Sequence, residues 1–122
     1  MTKRILVVED QIDNRQILRD LLSSADYEMT EAENGEEALA AVAKQRPDLI
    51  LMDIQLPIMD GYEATRRIKA NPEWKGIPII VVTSYALSGD EAKARDAGCD
   101  AYVTKPYSPR ALLAKIREYM PK

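Results

Sequence analysis

Histidine is absent from the 122-residue chain, and cysteine occurs once, as Cys99. Without an imidazole there is no Ser-His-Asp or Cys-His nucleophile pair, and with a single thiol there is no His/Cys zinc site. Any chemistry has to run on carboxylates, hydroxyls and lysine. Cys99 cannot form an intramolecular disulfide, which fits a reducing compartment, and it reads as a small apolar core residue rather than a redox thiol. Long apolar runs are missing too. The longest, Ile77 to Val82, is too short to span a bilayer, and no basic-then-apolar leader opens the chain, so a cytoplasmic protein is expected. The 17 Lys and Arg against 20 Asp and Glu leave a net charge of −3, with the basic residues scattered, so there is no footprint for nucleic acid or an anionic membrane. No repeat, low-complexity tract or Ser/Gly linker divides the chain. Residues 1–122 are expected to form one domain, large enough to fold without a disulfide or metal staple.

What is present is patterned. Ile5-Leu6-Val7-Val8, Leu49-Ile50-Leu51-Met52 and Ile79-Ile80-Val81-Val82 are unalternating and mostly branched, as strands buried on both faces are. Weaker strands fit around Glu28 to Glu33 and Ala101 to Thr104, toward the sheet edges. Helical spacing joins Ile17, Leu18, Leu21 and Leu22 in the first intervening segment and Leu112, Leu113, Ile116 and Tyr119 in the last. Asn34 to Glu37, Asp60 to Glu63 and Ser88 to Glu91 have capping-box-like spacing, Ser108-Pro109 offers an N-cap followed by proline, and Gly98 ends a helix running from Ser88 to Ala97. That fourth helix offers chiefly Ala92, Ala94 and Ala97 to the core, a weak anchor beside the Leu and Ile stripes of the first and last helices. Strands alternating with helices predict a doubly wound α/β domain with helices on both faces of one parallel sheet.

In open α/β sheets, ligands bind beyond the carboxyl ends of the strands. Glu9 and Asp10 follow the first strand, Asp53 the third, Thr83 and Ser84 the fourth, and Lys105 the fifth. If the first and third strands are neighbours, two of these acids about 5 Å apart repel by roughly 3 kcal/mol at an effective dielectric near 20. A hard cation held by oxygen, Mg²⁺ before others, is the economical way to offset that repulsion. Such a cation, with Lys105 and the Thr83 hydroxyl, would surround a phosphoryl group on Asp53, and aspartate is a known covalent nucleophile for phosphoryl groups.

The segments Val8-Glu9-Asp10, Leu51-Met52-Asp53-Ile54-Gln55-Leu56-Pro57 with Met59-Asp60-Gly61, Val82-Thr83-Ser84, and Tyr102-Val103-Thr104-Lys105-Pro106 carry a resemblance. In order and spacing the sequence resembles the receiver domains of bacterial two-component response regulators over essentially its whole length. Gln55, Gly89-Asp90-Glu91 and Gly98-Cys99 are similar to single-domain cell-division regulators of the DivK type. The resemblance implies a CheY-like, flavodoxin-like (βα)5 fold with strand order 2-1-3-4-5. It implies that Asp53 accepts a phosphoryl group from a phosphohistidine on a sensor histidine kinase or a histidine phosphotransfer protein. It further implies that Asp10, Asp53 and the backbone carbonyl of Gln55 ligate Mg²⁺, with Glu9 helping through water. Lys105 would pair with the phosphoryl group, Thr83 move toward it, and Tyr102 turn inward as Thr83 moves. The face built by the fourth helix, fifth strand and fifth helix would then change shape for a downstream protein. In the family Lys105-Pro106 is typically cis. Without an output domain such a chain signals by protein contact or relays phosphoryl onward, as a monomer or phosphorylation-dependent dimer, with no direct DNA binding and no catalysis beyond its own phosphorylation and dephosphorylation.

Plainer readings stand beside these. Asp10, Asp13 or Asn14 could cap the first helix, Thr83 could satisfy a strand-end backbone group, Tyr102 could pack with a wet hydroxyl, and Arg66, Arg67 and Lys69 read as a solvated helix face. Met52 and Met59 read as core and loop filler. Gln55 and Tyr85, each two residues past a site residue, lie where they could screen or admit hydrolytic water. A haloacid-dehalogenase-type phosphatase resembles Asp-x-Asp, but Asp53-Ile54-Gln55 puts an amide in the second place. A flavodoxin-like carrier needs a Ser/Thr/Gly-rich loop where Glu9-Asp10-Gln11-Ile12-Asp13 would repel flavin phosphate. A phosphorylation-independent receiver-shaped binding module, or a receiver fragment of a hybrid kinase or larger regulator, stays open, although Met1-Thr2-Lys3-Arg4 before the first strand favours a complete protein.

Overall fold

A computed structural model describes residues 2–83 and 90–120. Five strands alternate with five helices: β1 (Arg4–Val8), α1 (Ile12–Ser24), β2 (Glu28–Ala32), α2 (Gly35–Lys44), β3 (Leu49–Met52), α3 (Gly61–Ala70), β4 (Ile79–Thr83), α4 (Asp90–Ala97), β5 (Ala101–Thr104) and α5 (Pro109–Tyr119). All four strand pairings are parallel and the order is β2-β1-β3-β4-β5, the flavodoxin-like arrangement. Period-two geometry sends alternate side chains of each strand to opposite layers. Leu6, Val8, Ile50, Met52, Ile79 and Val81 meet residues of α2, α3 and α4, while Ile5, Val7, Leu49, Leu51, Ile80 and Val82 meet α1 and α5. The three central runs are therefore apolar throughout because each side has its own helical layer.

The helix starts follow the expected capping chemistry. Asn34 Oδ1 accepts the Glu37 N–H at 2.8 Å while Glu37 Oε1 accepts the Glu33 N–H at 2.9 Å. Asp60 caps α3 through the Glu63 N–H, and Ser108 caps α5 through the Ala111 N–H with Pro109 in the first turn. Gly98 closes α4 at φ 110°, a left-handed conformation that glycine adopts without steric cost. The Ser88 cap lies outside the described residues.

Four expectations change. In α1, Leu18 and Leu22 are buried but Ile17 is 56% exposed, so the burying stripe is narrower than the apolar spacing. In α4, Ala94 and Ala97 are buried and Ala92 is exposed. Neither Asp10, Asp13 nor Asn14 caps α1; Gln11 occupies that position without a side-chain bond. Lys69 is no solvated cation. Its Nζ donates to the carbonyls of Lys75 (3.0 Å) and Ile77 (2.7 Å) and to Asp100 Oδ2 (2.9 Å). The same Asp100 oxygen accepts the N–H of Ile79, the first residue of β4, at 2.8 Å, just as Asp48 Oδ2 accepts that of Arg4, the first residue of β1. Lys69 thus ties the end of α3 to the start of two strands. Lys69→Met is expected to cost about 2 kcal/mol in urea unfolding, because it strands a half-buried carboxylate and two carbonyls; Arg66→Met, on the exposed side of the same helix, should cost under about 0.5 kcal/mol.

Candidate functional site

Strand register, more than any single side chain, collects the site. Val8 and Met52 are aligned partners in β1 and β3, so Glu9 and Asp53 leave neighbouring strands at one level. The ladder continues one residue beyond: Asp53 N–H donates to Val8 O and Glu9 N–H to Ala32 O, both at 3.0 Å. Thr83 is the last residue of β4, fully buried, and the N–H of Lys105 donates to its carbonyl at 2.8 Å. Lys105-Pro106 is a cis peptide bond.

Glu9, Asp10 and Asp53 each bring a carboxylate oxygen within 4.8 Å of the others. Glu9 and Asp53 are buried, and Asp10 is partly exposed. The acids' mutual repulsion, about 3 kcal/mol per pair at an effective dielectric near 20, is offset by Lys105, whose Nζ lies 2.9 Å from Glu9 Oε1 and 3.3 Å from Asp53 Oδ2. Burial pulls the pKa of this ammonium down, but the Glu9 hydrogen bond and the charges of Asp53 and Glu9 outweigh it and hold the pKa above the usual lysine value. Lys105 is therefore charged throughout the neutral range, and its shorter bond is to Glu9. The remaining oxygens are oriented by main chain: Glu9 Oε2 accepts the Gln11 N–H at 3.2 Å and Asp53 Oδ1 the Gln55 N–H at 3.3 Å. Three hard oxygen donors with one on the accessible side suit an ion that keeps several waters, so the donor set fits Mg²⁺.

Tyr102 is half-buried, packed against the layer that contains Ala94 of α4. Ser84 and Tyr85 lie outside the described residues. Beside the carboxylates an apolar depression of about 430 Å³ opens between α1 and the β5–α5 connection, walled by Ile17, Leu18, Tyr107 and Pro109, with Glu9 and Lys105 also lining it. Burial raises the Tyr107 phenol pKa, the nearby Lys105 opposing and Glu9 adding. Two structural contributors carry little sequence signal. A Cβ on Gly61 would overlap the Asp53 carbonyl oxygen, so this glycine is what lets α3 start against the backbone of Asp53. Arg15 donates to the Glu9 carbonyl from within an ordinary amphipathic helix pattern. An Asp-Gly pair at a helix start hints at the first; nothing local hints at the second.

Residues 5–117 match the family model described as the response regulator receiver domain. A polar-differentiation response regulator DivK of Brucella anthropi is 43% identical over 120 residues, covering 98% of both chains. A putative response regulator from Chloroflexus aurantiacus superposes with a TM-score of 0.95 at 30% identity over the full length of both chains. The receiver domain of a sensor histidine kinase from Pseudomonas aeruginosa, described with a magnesium ion coordinated in its active site cleft, gives a TM-score of 0.92 at 35% identity, again with full coverage of both.

Proposed function

Because the chain belongs to the response regulator receiver family, we propose that Asp53 accepts a phosphoryl group from a phosphohistidine on a sensor histidine kinase or histidine phosphotransfer protein in the cytoplasm. One observation carries this reading: a buried carboxylate at the mouth of β3, with Lys105 at 3.3 Å and two further carboxylates within 4.8 Å. The Asp53 carboxylate attacks phosphorus, the P–N bond breaks, and the imidazole nitrogen keeps the electron pair. Asp10, Asp53, the Gln55 carbonyl and, through water, Glu9 are the groups that would hold Mg²⁺, which when bound neutralises charge on the phosphoryl oxygens. Lys105, shared between two acids, turns to the new phosphoryl oxygens, and the Thr83 hydroxyl follows from the adjacent strand end.

The output of this proposal is a change of protein contacts at the α4-β5-α5 face, with Tyr102 turning inward as Thr83 moves. Support comes from unequal anchoring: α4 buries only Ala94 and Ala97 among its described side chains, whereas α1 and α5 bury Leu18, Leu22, Leu112 and Ile116. Fewer buried methylenes hold α4 less firmly, so a small local change displaces it first. The reading assigns no DNA contact, no membrane and no catalysis beyond the protein's own phosphorylation and dephosphorylation; among the described residues no helix is long and apolar enough to cross a membrane.

Intact mass after incubation with Mg²⁺ and acetyl phosphate tests the proposal. One added phosphoryl group, absent when the metal is chelated, is the expected result. No gain in folded protein supplied with Mg²⁺ would sink it in favour of a phosphorylation-independent binding module. Lys105→Met adds a second check. Removing the cation that competes for Glu9 and Asp53 should tighten Mg²⁺ roughly fivefold, about 1 kcal/mol, while slowing phosphoryl uptake; unchanged metal affinity would take Lys105 out of the acid cluster.

A further inference from the structure

Glu9 is pinned on both sides of its main chain, and both attachments lead to β2. Its N–H donates directly to Ala32 O at 3.0 Å. Its carbonyl accepts from Arg15 Nη1 at 2.8 Å, and the same guanidinium donates through Nε to Glu31 Oε1 at 3.0 Å. Arg19 pairs with the other Glu31 oxygen, so this carboxylate is held from two turns of α1. The Arg15 side chain is only 11% exposed, far from the freely solvated arginine that its place in α1 suggests. A peptide unit is planar, so fixing the Glu9 carbonyl fixes the Glu9–Asp10 plane and with it the point from which the Asp10 side chain departs. Among the described residues Asp10 has no other anchor of that kind: it does not cap α1, and its Oδ2 meets the Gln11 amide only at 3.5 Å.

We infer that Arg15, braced by Glu31, is a positioning residue that holds the Glu9–Asp10 peptide in the orientation needed for divalent-cation binding. The inference rests on the proposed Mg²⁺ site. Its signature is a sign. Arg15 is a cation beside an acidic site, so if it acted by charge alone, its removal would tighten Mg²⁺, as removal of Lys105 should. If it acts by positioning, removal frees the peptide to rotate, and Asp10 has to be ordered anew each time the metal binds. Groups that orient metal ligands typically contribute 10- to 100-fold in affinity.

Calorimetric titration of Mg²⁺ alone, in folded protein at 15 °C with no phosphodonor, separates the two, with thermal unfolding recorded in parallel. Arg15→Ala is expected to weaken Mg²⁺ roughly tenfold or more. Arg15→Lys reaches either the Glu9 carbonyl or Glu31 but not both, and Glu31→Gln keeps an acceptor while losing the charge; each should weaken Mg²⁺ by a smaller factor, roughly threefold. Arg15→Lys, which keeps the positive charge so that charge alone predicts no change, carries the test should Arg15→Ala not fold. Affinity equal to or tighter than wild type, with a lowered melting temperature, overturns the inference and leaves Arg15 a purely structural residue. A wild-type protein that binds no divalent cation overturns the proposed metal site, and this inference with it.

Discussion

Asp53→Asn should abolish phosphoryl uptake while leaving the protein folded. The amide has the shape of the carboxylate and keeps an oxygen for the Gln55 N–H, which in the native site lies 3.3 Å from Oδ1. Lys105 retains its shorter bond, to Glu9 at 2.9 Å. Loss of the Asp53–Lys105 attraction is partly cancelled by loss of the repulsion between Asp53 and the other two acids. The melting temperature should therefore move by only a few degrees, about 1 kcal/mol. Chemistry suffers far more, since a neutral amide is no nucleophile at phosphorus and no hydroxyl or thiol stands in its place. Magnesium should also bind at least roughly tenfold more weakly once one of three carboxylates is gone. Stopped uptake with intact thermal unfolding and weakened metal is the combination expected of an acceptor that also serves as a ligand. Undiminished uptake would remove Asp53 from the reaction.

Gly61→Ala is predicted to damage both fold and site although it adds one methyl group. That Cβ would overlap the Asp53 carbonyl oxygen and come within 2.9 Å of the Asp53 carbonyl carbon and of the Ile54 Cα. These are main-chain atoms and cannot swing aside as a side-chain tip could. The Gly61 N–H also donates to Ile54 O at 2.9 Å, so the start of α3 and the segment after β3 are locked at that distance. Relief requires either lifting the first turn of α3 or pushing the Asp53 backbone toward Val8. Overpacking of this kind costs about 3 kcal/mol, and the second route displaces Asp53. Urea unfolding should show the loss, and phosphoryl uptake of the surviving folded fraction should fall at least tenfold, on the order of 1.4 kcal/mol. Gly76→Ala is the control: the nearest atom to its added Cβ is the flexible end of Arg46 at 3.9 Å, and the change should lie within about 0.5 kcal/mol. Equal behaviour of the two alanines would show that α3 does not press on the Asp53 backbone.

Much of the fold was legible because two regularities of the chain survive folding. Unalternating branched runs fit only strands covered on both faces, and Ile5 to Val8, Leu49 to Met52 and Ile79 to Val82 became β1, β3 and β4. Local capping chemistry is set by neighbours in sequence, so Asn34, Asp60, Ser108 and Gly98 marked helix ends that the structure places as expected. Residues at strand ends were legible too, because the parallel sheet brings them to one rim whatever the details of packing. What escaped depends on elements distant in sequence. Helical spacing identifies Ile17 as a neighbour of Leu18 but cannot say how α1 is rotated on the sheet, and the rotation leaves Ile17 outside. Lys69 and Arg15 look like surface cations until the carbonyls and carboxylates they meet, from Asp100 and Glu31 among others, are folded beside them. The close approach at Gly61 is likewise a property of two segments together.

The location of the phosphoryl group is the most direct test of the account. After incubation with acetyl phosphate and Mg²⁺, borohydride reduction converts an aspartyl phosphate into homoserine, which peptide mass mapping places in the sequence. Homoserine at position 53, with Glu9 and Asp10 unmodified, is the expected result. A reduced residue at position 9 or 10, or phosphate on Thr83 that survives reduction, would contradict it.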